Sequence, residues 1–211
     1  MKQVKRGKFI VIDGCEGAGK TTMVKKLADI LPGGFGKITH EPGGTAYGEE
    51  IRQLILYSPH AKTSSAETQF GLHWAQRADH LKNFIIPNLN QGISVVSDRF
   101  DSSTYAYQIY GQEAKHLKKL FFEMRKVYLR ECKPDLYVFF DVLPEEGLRR
   151  VALRKEQTTH FDERRIEFHK RVRKGFLEFL KTVPHVIIDA NQSVEVVERD
   201  FLAQMKKVLK I

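Results

Sequence analysis

The stretch Lys8-Phe9-Ile10-Val11-Ile12-Asp13-Gly14-Cys15-Glu16-Gly17-Ala18-Gly19-Lys20-Thr21-Thr22 decides the fold. Its first six residues form a short, β-branched apolar run, which predicts a buried strand. Residues 14–21 fit the pattern G-x-x-x-x-G-K-[ST], and apolar residues at helical spacing follow as far as Leu31. A glycine-rich turn between a strand and a helix directs backbone N–H groups at phosphate oxygens, and the helix N-terminus adds positive potential. We therefore predict a nucleotide phosphate site here rather than a chance glycine turn.

The residue types of this loop assign its chemistry. Lys20 can bridge the β- and γ-phosphates of ATP, and the Thr21 hydroxyl can bind Mg²⁺. We expect the whole loop to bind ATP, that is Gly14, Cys15, Glu16, Gly17, Ala18, Gly19, Lys20, Thr21 and Thr22. The motif does not say which molecule receives the phosphate.

The rest of the chain alternates apolar runs with segments of helical period. Further strands are predicted at residues 37–41, 93–98, 135–141 and 185–189, and helices at 20–31, 48–57, 67–90, 114–130, 144–154, 166–181 and 194–209. Strands separated by helices favour a parallel sheet that is covered on both faces. We predict an α/β protein with the P-loop NTPase fold, a five-stranded parallel sheet, and a single domain over residues 1–211.

Charge is concentrated in one segment. The 211 residues hold 35 Lys and Arg against 26 Asp and Glu, a formal net charge of +9. Residues 149–174 contain ten basic and four acidic residues and residues 1–8 add +4, so the remainder is close to neutral. Two cysteines are too few for a disulfide framework, and no apolar run approaches the ~20 residues of a membrane span. We expect a cytoplasmic protein without a membrane or nucleic-acid partner.

Two further clusters follow predicted strands. Asp98-Arg99-Phe100 ends the third strand, and His40-Glu41-Pro42-Gly43-Gly44-Thr45 ends the second. Ligands of open parallel sheets bind at the carboxyl ends of the strands, so both clusters should face the phosphate loop. Asp98 could hold Mg²⁺ through water and Arg99 could clamp a phosphate, although a surface ion pair is the plain alternative.

At this point the chain resembles the thymidylate kinases of bacterial type. The resemblance covers nearly the whole chain, and its most specific motifs are THEPGGT at 39–45 and DRFDSSTYAYQ at 98–108, with EEIRQLIL at 49–56, QRADH at 76–80 and FHKRVRKGFLEF at 168–179 beside them. It implies Mg²⁺-dependent transfer of the γ-phosphoryl group of ATP to dTMP. It also implies a homodimer.

The resemblance implies a role for each matching residue. Glu16 would lie near the acceptor sugar and phosphate, and Glu41 would serve acceptor or metal binding. Arg52 and Arg99 would bind the acceptor phosphate, and Arg77 would contact the thymine edge. The base and sugar pocket would be lined by Ser103, Thr104 and Gln108, with Tyr107 crowding the 2′ position. Arginine on a helix is usually solvated and a tyrosine is often core packing, which are the plain readings of Arg52, Arg77 and Tyr107.

The same resemblance implies a role for the basic segment, residues 149–174. It implies a lid over ATP at about 149–163, which supplies an arginine when the phosphate loop has none. Arg149, Arg150 and Arg154 are the candidates, and Arg154 is favoured as a catalytic residue beside Lys20, Arg99 and Glu16. An arginine on the migrating charge can raise the rate by ~10³–10⁵.

The chain departs from the family pattern at three histidines. His160 stands where the lid usually has arginine, so Arg164 or Arg165 could compensate. His73 replaces the usual phenylalanine on thymine, where imidazole could stack or Trp74 could fill the space, and His40 replaces the usual arginine before EPGG.

Two other functions stay open from the residues alone. A kinase for another deoxynucleotide or a deoxynucleoside could use Glu41 as a general base. A nucleic-acid-binding protein could use the basic segment, and its binding would depend strongly on salt.

Overall fold

The computed structural model describes residues 5–31, 36–130, 132–153 and 159–210. Within these residues there are five strands, β1 (Phe9–Gly14), β2 (Gly36–His40), β3 (Ser94–Asp98), β4 (Leu136–Asp141) and β5 (His185–Asp189). They form one parallel sheet in the order β2-β3-β1-β4-β5. The predicted five-stranded parallel sheet is therefore confirmed, with each strand within one residue of its predicted bounds.

The helices cover both faces of this sheet. They are α1 (Lys20–Ile30), α2 (Ala46–Leu56), α3 (Ala66–His80), α4 (Ile86–Asn90), α5 (Asp101–Thr104), α6 (Lys118–Leu129), α7 (Pro144–Ala152), α8 (Ile166–Leu180) and α9 (Val194–Leu209). Successive strand side chains point to opposite faces. Phe139 accordingly packs on Phe176 of α8 at 5.0 Å, and Phe140 packs on Phe201 of α9 at 5.2 Å.

Strand order explains where a ligand can bind. β1 lies between β3 and β4, and Ile12 of β1 pairs with Asp98 of β3. After β1 the chain connects to β2 on one side of the sheet, and after β3 it crosses to β4 on the other side. The direction of connection therefore reverses between β1 and β3, whose carboxyl ends lie side by side. A crevice opens at such a point in doubly wound sheets.

The segment after β3 differs from the sequence expectation. Residues 99–113 were without a predicted element, but α5 continues into wide helical turns at Tyr105–Gly111 that pack against α8. Every residue from 101 to 109 is buried, so the segment has no polar face and no helical period in its sequence. The predicted helix over 67–90 is continuous through π-type turns at Leu81–Ile85.

Helix α7 ends at Ala152, two residues before its predicted end. Arg154, the favoured lid arginine, lies outside the described residues, as do residues 155–158. The single domain with a lid near 149–163 therefore stays a prediction. No helix of the described residues is long and apolar enough to cross a membrane.

Candidate active site

A cavity of about 590 Å³ opens at the carboxyl ends of β1, β2 and β3. Its walls come from the phosphate loop, the ends of β2 and β3, helices α1, α2, α3, α5 and α7, the turns after α5, and Thr159, Phe161 and Asp162. The sequence-predicted residues on its wall are Glu16, Gly17, Ala18, Gly19, Lys20, Thr21, Glu41, Arg52, His73, Arg77, Asp98, Arg99, Ser103, Tyr107 and Gln108. Gly14, Cys15, Thr22 and Thr104 lie beside it without lining it.

The phosphate loop needs glycine at two backbone positions. Gly17 and Gly19 have φ of 69° and 81°, a left-handed conformation that costs glycine little, and α1 begins at the next residue, Lys20. A Cβ on Gly17 would collide with the carbonyl oxygen of Gly147 in α7, and a Cβ on Gly147 would collide with that of Glu16. Backbone contact between two glycines therefore joins the loop to α7.

The amine of Lys20 is held inside its own loop. Its Nζ donates to the carbonyl oxygens of Gly14 at 2.8 Å and Cys15 at 2.9 Å. Burial, with the charge of Arg99, lowers the pKa of Lys20 to about 8 against the opposing carboxylate of Asp98. The amine is thus desolvated, and its partners are backbone carbonyl oxygens.

Asp13, the penultimate residue of β1, organises the floor of the cavity. Its carboxylate accepts hydrogen bonds from Ser102 Oγ at 2.7 Å and Ser103 Oγ at 2.9 Å. Arg99 Nη1 lies 3.4 Å from it. Burial raises the pKa of Asp13 against the lowering effect of the Arg99 charge. Ser103 is thereby tied to Asp13, so its hydroxyl is part of the floor.

Arg99 has an unusual backbone. Its φ is 67°, a left-handed conformation that non-glycine residues seldom adopt. Two hydrogen bonds fix it there, from Arg99 N to Ile12 O at 2.8 Å and from Ser97 Oγ to Arg99 O at 2.7 Å. The guanidinium stands 5.3 Å above the centre of the Tyr107 ring. Arg99 Nη1 donates to Gly14 O at 3.3 Å, so the side chain reaches the phosphate loop.

Glu16 joins the phosphate loop to two other elements. The hydroxyl of Tyr107 donates to Glu16 Oε1, and His169 Nδ1 of α8 lies 3.3 Å from Glu16 Oε2. Burial alone would raise the pKa of Glu16, but the hydrogen bonds and the Arg99 charge lower it to about 2. Glu16 is therefore an anion throughout the neutral pH range.

Glu41 is saturated by protein donors. Arg77 Nε and Nη2 lie 2.9 Å and 2.8 Å from Glu41 Oε2, and His80 Nδ1 lies 3.1 Å from Glu41 Oε1. The side chains of all three are at least 98% buried. Such a carboxylate is poorly placed to take a hydroxyl proton, which disfavours the general-base role that a nucleoside kinase would need.

Arg77 and Gln108 each retain one unused polar atom. Arg77 also donates from Nη2 to Thr104 Oγ1 at 3.0 Å, and its guanidinium lies 4.8 Å from the centre of the Trp74 ring. Within the described part of the chain, Arg77 Nη1 and Gln108 Oε1 are buried without a hydrogen-bond partner. A buried polar atom without a partner is costly, so this donor and this acceptor fit a ligand.

His73 is a neutral ring on the cavity wall. Burial, assisted by the nearby charges of Arg77 and Arg99, lowers its pKa to about 3. Trp74 does not line the cavity; it stacks on Tyr128 at 5.6 Å and packs on Phe121 in the core. Of the two side chains considered for the space beside thymine, His73 is the one on the wall.

Arg52 and His40 lie on the α2 side. Arg52 Nη1 donates to the carbonyl oxygen of Pro42 at 2.7 Å and lines the cavity. His40 also lines the cavity, and its half-exposed ring pairs with Glu49 at 2.8 Å. Arg52 thus places a cation on the cavity wall.

Oxygen ligands for a divalent ion are present beside Lys20. The Oδ1 atom of Asp98 is buried and, among the residues described, has no hydrogen-bond partner. Thr21 is exposed at the cavity. The described residues contain no cluster of three or more His, Cys, Asp or Glu that could hold a metal by itself. Mg²⁺ is commonly held by one carboxylate together with substrate phosphates and water, so these residues fit it.

Several basic residues of the segment 149–174 are paired with carboxylates of the protein. Arg149 and Arg150 both pair with Glu146 at 2.7 Å, Lys170 pairs with Glu145 at 2.8 Å, and Arg173 pairs with Asp141 at 2.6 Å. Arg150 Nη1 also donates to Ala190 O at 2.9 Å. These internal contacts disfavour a nucleic-acid surface. Neither Arg164 nor Arg165 lines the cavity.

Residues after the undescribed stretch return to the cavity and dock on α2. His160 Nε2 lies 3.1 Å from Ile55 O, while Thr159, Phe161 and Asp162 line the wall. His160 is thus bonded to the backbone of α2, and its imidazole is not on the cavity wall.

Sequence reasoning missed three polar residues of the site, Asp13, His80 and His169. Asp13 ended an apolar strand, and the two histidines were isolated residues on helices. For the two histidines, the only signal in the sequence was that they lie in motifs shared with the family: QRADH ends in His80, and FHKRVRKGFLEF contains His169.

Comparison with known proteins agrees with this site. A family model described as thymidylate kinase matches residues 12–201. The thymidylate kinase of Bradyrhizobium sp. (strain ORS 278) is 41% identical over 198 residues, covering 91% of this chain and 86% of that protein. Those of Carboxydothermus hydrogenoformans and Nitrosospira multiformis are each 40% identical, covering 90% and 92% of this chain and 92% and 94% of theirs.

Proposed function

The chain belongs to the thymidylate kinase family, and on that premise we propose how its residues bind dTMP and ATP and transfer the phosphoryl group. The protein is an ATP-dependent nucleoside monophosphate kinase that converts dTMP to dTDP. The observation that carries the residue assignments is the unused pair of buried atoms, Arg77 Nη1 and Gln108 Oε1, in one cavity with the phosphate loop.

The donor Arg77 Nη1 and the acceptor Gln108 Oε1 select the base. Thymine presents an acceptor at O4 beside a donor at N3–H, which complements Arg77 Nη1 and Gln108 Oε1. Cytosine presents the reverse pattern and would leave both protein atoms unpaired. A site built for particular hydrogen bonds rejects a ligand that cannot make them by large factors. His73 stacks on the ring as a neutral imidazole.

The sugar and the phosphate of dTMP lie between this pocket and the phosphate loop. Tyr107 is held by ring contacts to Phe161 at 5.3 Å and Phe176 at 6.0 Å, so its edge is a fixed wall at the 2′ position. Glu16 lies beside the sugar. Arg99 and Arg52 neutralise the acceptor phosphate so that two anions can approach each other.

The phosphate loop and its lysine hold ATP. Backbone N–H groups of residues 14–21 surround the β-phosphate, and the Lys20 amine leaves its carbonyl partners for the β- and γ-phosphate oxygens. Thr21 and Asp98 would hold Mg²⁺, directly or through water, and the ion would supply neutralising charge at the phosphates when bound.

Transfer proceeds in line, with charge stabilisation as the main contribution of the protein. The acceptor is a phosphate monoester whose second pKa is about 6, so it is ionised at neutral pH and needs no general base. We keep Arg154 as the lid arginine, since Arg149 and Arg150 are engaged with Glu146.

A coupled assay with ATP and Mg²⁺ against a panel of acceptors tests this proposal. We expect dTMP to be preferred over dCMP and AMP by several orders of magnitude in kcat/KM, and thymidine to be inactive. Equal use of dTMP and dCMP would contradict the base-reading role of Arg77 and Gln108. Omission of Mg²⁺ in the presence of a chelator should abolish turnover.

A homodimer formed through α2, α3 and α6 is part of the same proposal. Tyr47 and Leu54 on α2 and Leu120 and Val127 on α6 are large apolar side chains exposed to solvent. Stacking of Trp74 on Tyr128 joins α3 to α6. Exposed apolar residues on adjacent helices are typical of a subunit interface.

Light scattering coupled to size-exclusion chromatography tests the dimer. Leu54→Glu combined with Val127→Glu should give a monomer of about half the mass. Val194→Glu is a matched control, because Val194 is an equally exposed valine on α9. A monomeric wild-type protein would contradict this part of the proposal.

A further inference from the structure

A chain of buried hydrogen bonds runs from β2 to the residue that reads the base. Thr39 Oγ1 lies 2.7 Å from His80 Nε2, His80 Nδ1 lies 3.1 Å from Glu41 Oε1, and Glu41 Oε2 holds Arg77. The four side chains lie on three elements, β2, the turn that follows it, and α3. We name this set the Thr39–Arg77 relay, comprising Thr39, His80, Glu41 and Arg77.

The chemistry of the relay groups decides which of them donate and which accept hydrogen bonds. Arg77 and Glu41 form a buried pair of opposite charge, so neither needs a further charge to be compensated. Because a carboxylate only accepts, His80 Nδ1–H donates to Glu41, and the Thr39 hydroxyl bonds Nε2 on the other side of the ring. Glu41 therefore sets which ring nitrogen of His80 carries the hydrogen that faces it, and Thr39 holds the other side of the ring.

A second observation shows that the backbone is built around the relay. Gly44, the last glycine of the EPGG motif, has φ of 82°. A Cβ there would lie 2.5 Å from His80 Nε2 and 2.6 Å from Thr39 Oγ1. The absence of a side chain at Gly44 is thus what leaves room for the histidine and threonine to meet.

The relay also limits where Arg77 can point. Its Nε and Nη2 are occupied by Glu41 and Thr104, and its guanidinium lies between the rings of Trp74, at 4.8 Å, and Phe100, at 5.1 Å. Nη1 is the atom left for a ligand. Since Glu41 fixes two of the three guanidinium nitrogens, whatever fixes Glu41 fixes the position of Nη1.

We infer that His80 is a positioning residue for base selection: with Thr39 it holds Glu41, and through Glu41 it holds Arg77 where Nη1 meets O4 of thymine. The inference rests on the proposed base-reading role of Arg77. His80 does not touch the nucleotide in this arrangement. It acts on the choice between thymine and cytosine and leaves ATP binding unaffected.

Three substitutions separate the contacts of His80. His80→Leu removes both hydrogen bonds, and His80→Asn keeps a donor near the position of Nδ1. Thr39→Val removes only the hydroxyl and is the milder variant if His80→Leu does not fold. Leu209→Ala, a buried core change at the end of α9, is the control for loss of stability alone.

The readout is the ratio of kcat/KM for dTMP to kcat/KM for dCMP, measured with the KM for ATP and the thermal midpoint. We expect His80→Leu to lower the ratio by about tenfold to a hundredfold, as for a buried group that loses its partner. His80→Asn should recover most of the ratio, and Thr39→Val should lower it by a smaller factor. The KM for ATP should stay within about twofold, and Leu209→Ala should lower the midpoint without changing the ratio.

The double variant Arg77→Ala, His80→Leu decides whether His80 acts through Arg77. If it does, the double variant has the same ratio as Arg77→Ala alone. An unchanged ratio in His80→Leu and Thr39→Val, with Arg77→Ala strongly altered, would overturn the relay and leave the base-reading proposal standing. An unchanged ratio in Arg77→Ala itself would instead overturn the base-reading proposal.

Discussion

The hydroxyl of Tyr107 donates a hydrogen bond to the carboxylate of Glu16, which connects the proposed sugar pocket to the phosphate loop. The ring of Tyr107 is held separately, by edge contacts to phenylalanines of α8 and of the segment before it. The ring and the hydroxyl therefore have different roles. Tyr107→Phe, which removes only the hydroxyl oxygen, can distinguish them.

Tyr107→Phe should lower kcat for dTMP while most of the preference for deoxyribose remains. The ring edge still occupies the 2′ position, but Glu16 loses a hydrogen-bond donor, and we expect a loss of about tenfold in rate. The measurement is kcat/KM for dTMP against its ribose analogue. Loss of the preference in this variant would show that the hydroxyl, and not the ring, excludes the 2′-OH.

Lys20→Ala should reduce kcat by several orders of magnitude with the fold retained. In the proposed function this amine stabilises the charge on the transferred group, and its removal also takes one donor from the carbonyl oxygens of Gly14 and Cys15. Turnover is measured by the coupled assay and the fold by circular dichroism and thermal melting. Near-normal dTDP formation would reject the assignment of Lys20.

The pH dependence of kcat/KM for ATP should show an alkaline limb near pH 8. Because the pKa of Lys20 is lowered to about 8, its amine is charged below that pH and loses its proton as the pH rises through it. We expect a fall of about tenfold per pH unit beyond the limb, since kcat/KM reports the free enzyme. The limb of kcat itself should lie higher, because bound phosphates favour the charged amine.

Lys20→Arg is the control for this profile. Arginine stays charged throughout the range, so its profile should lack the limb even though its activity is lower. The same limb in Lys20→Arg would assign it to another group.

His73→Phe should be tolerated, whereas His73→Ala should not. The imidazole is neutral, with a pKa lowered to about 3 by burial, so its contribution to base binding is the face of its ring. We expect the KM for dTMP to stay within about threefold in His73→Phe and to rise about tenfold in His73→Ala. A large loss in His73→Phe would indicate that a ring nitrogen binds the substrate.

Gly147→Ala should weaken ATP binding, because the added methyl group would collide with the carbonyl oxygen of Glu16. We expect a rise of about tenfold in the KM for ATP and a loss of about 1–3 kcal/mol in the free energy of unfolding, as for other overpacked sites. Calorimetric titration with a non-hydrolysable ATP analogue measures the first and chemical denaturation the second. Unchanged ATP affinity would show that α7 and the loop move independently.

Gly71→Ala is the matched control. Gly71 is an exposed glycine of α3 where an added Cβ would meet nothing within 4 Å. Alanine there should stabilise the protein by up to about 1 kcal/mol, because it is the better helix former.

The phosphate loop and the strands were predictable because their information is local. A strand, a glycine pattern and a helix follow each other within residues 8–31, and the apolar runs stand out from their surroundings. The helical segment 101–111 was missed because its residues are buried on all sides, which removes the period that marks a surface helix.

His80 and His169 could not be found from the residues alone. His80 meets Glu41 across 39 positions of sequence, and His169 meets Glu16 across 153. Such pairs exist only after the sheet has brought α3 and α8 to the loops, and an isolated histidine on a helix carries no sign of its partner.

The left-handed backbone of Arg99 shows that the two sides of the cleft are held in different ways. Two hydrogen bonds tie this residue to β1 and to Ser97, and its φ of 67° admits few alternatives, so its backbone is fixed at the carboxyl end of β3. The opposite wall, at Thr159 and Phe161, is held by the contact of His160 Nε2 with Ile55 O of α2 and by packing of the Phe161 ring on Phe168 of α8. The Arg99 backbone is therefore anchored to the sheet, whereas the opposite wall of the cleft is anchored to helices.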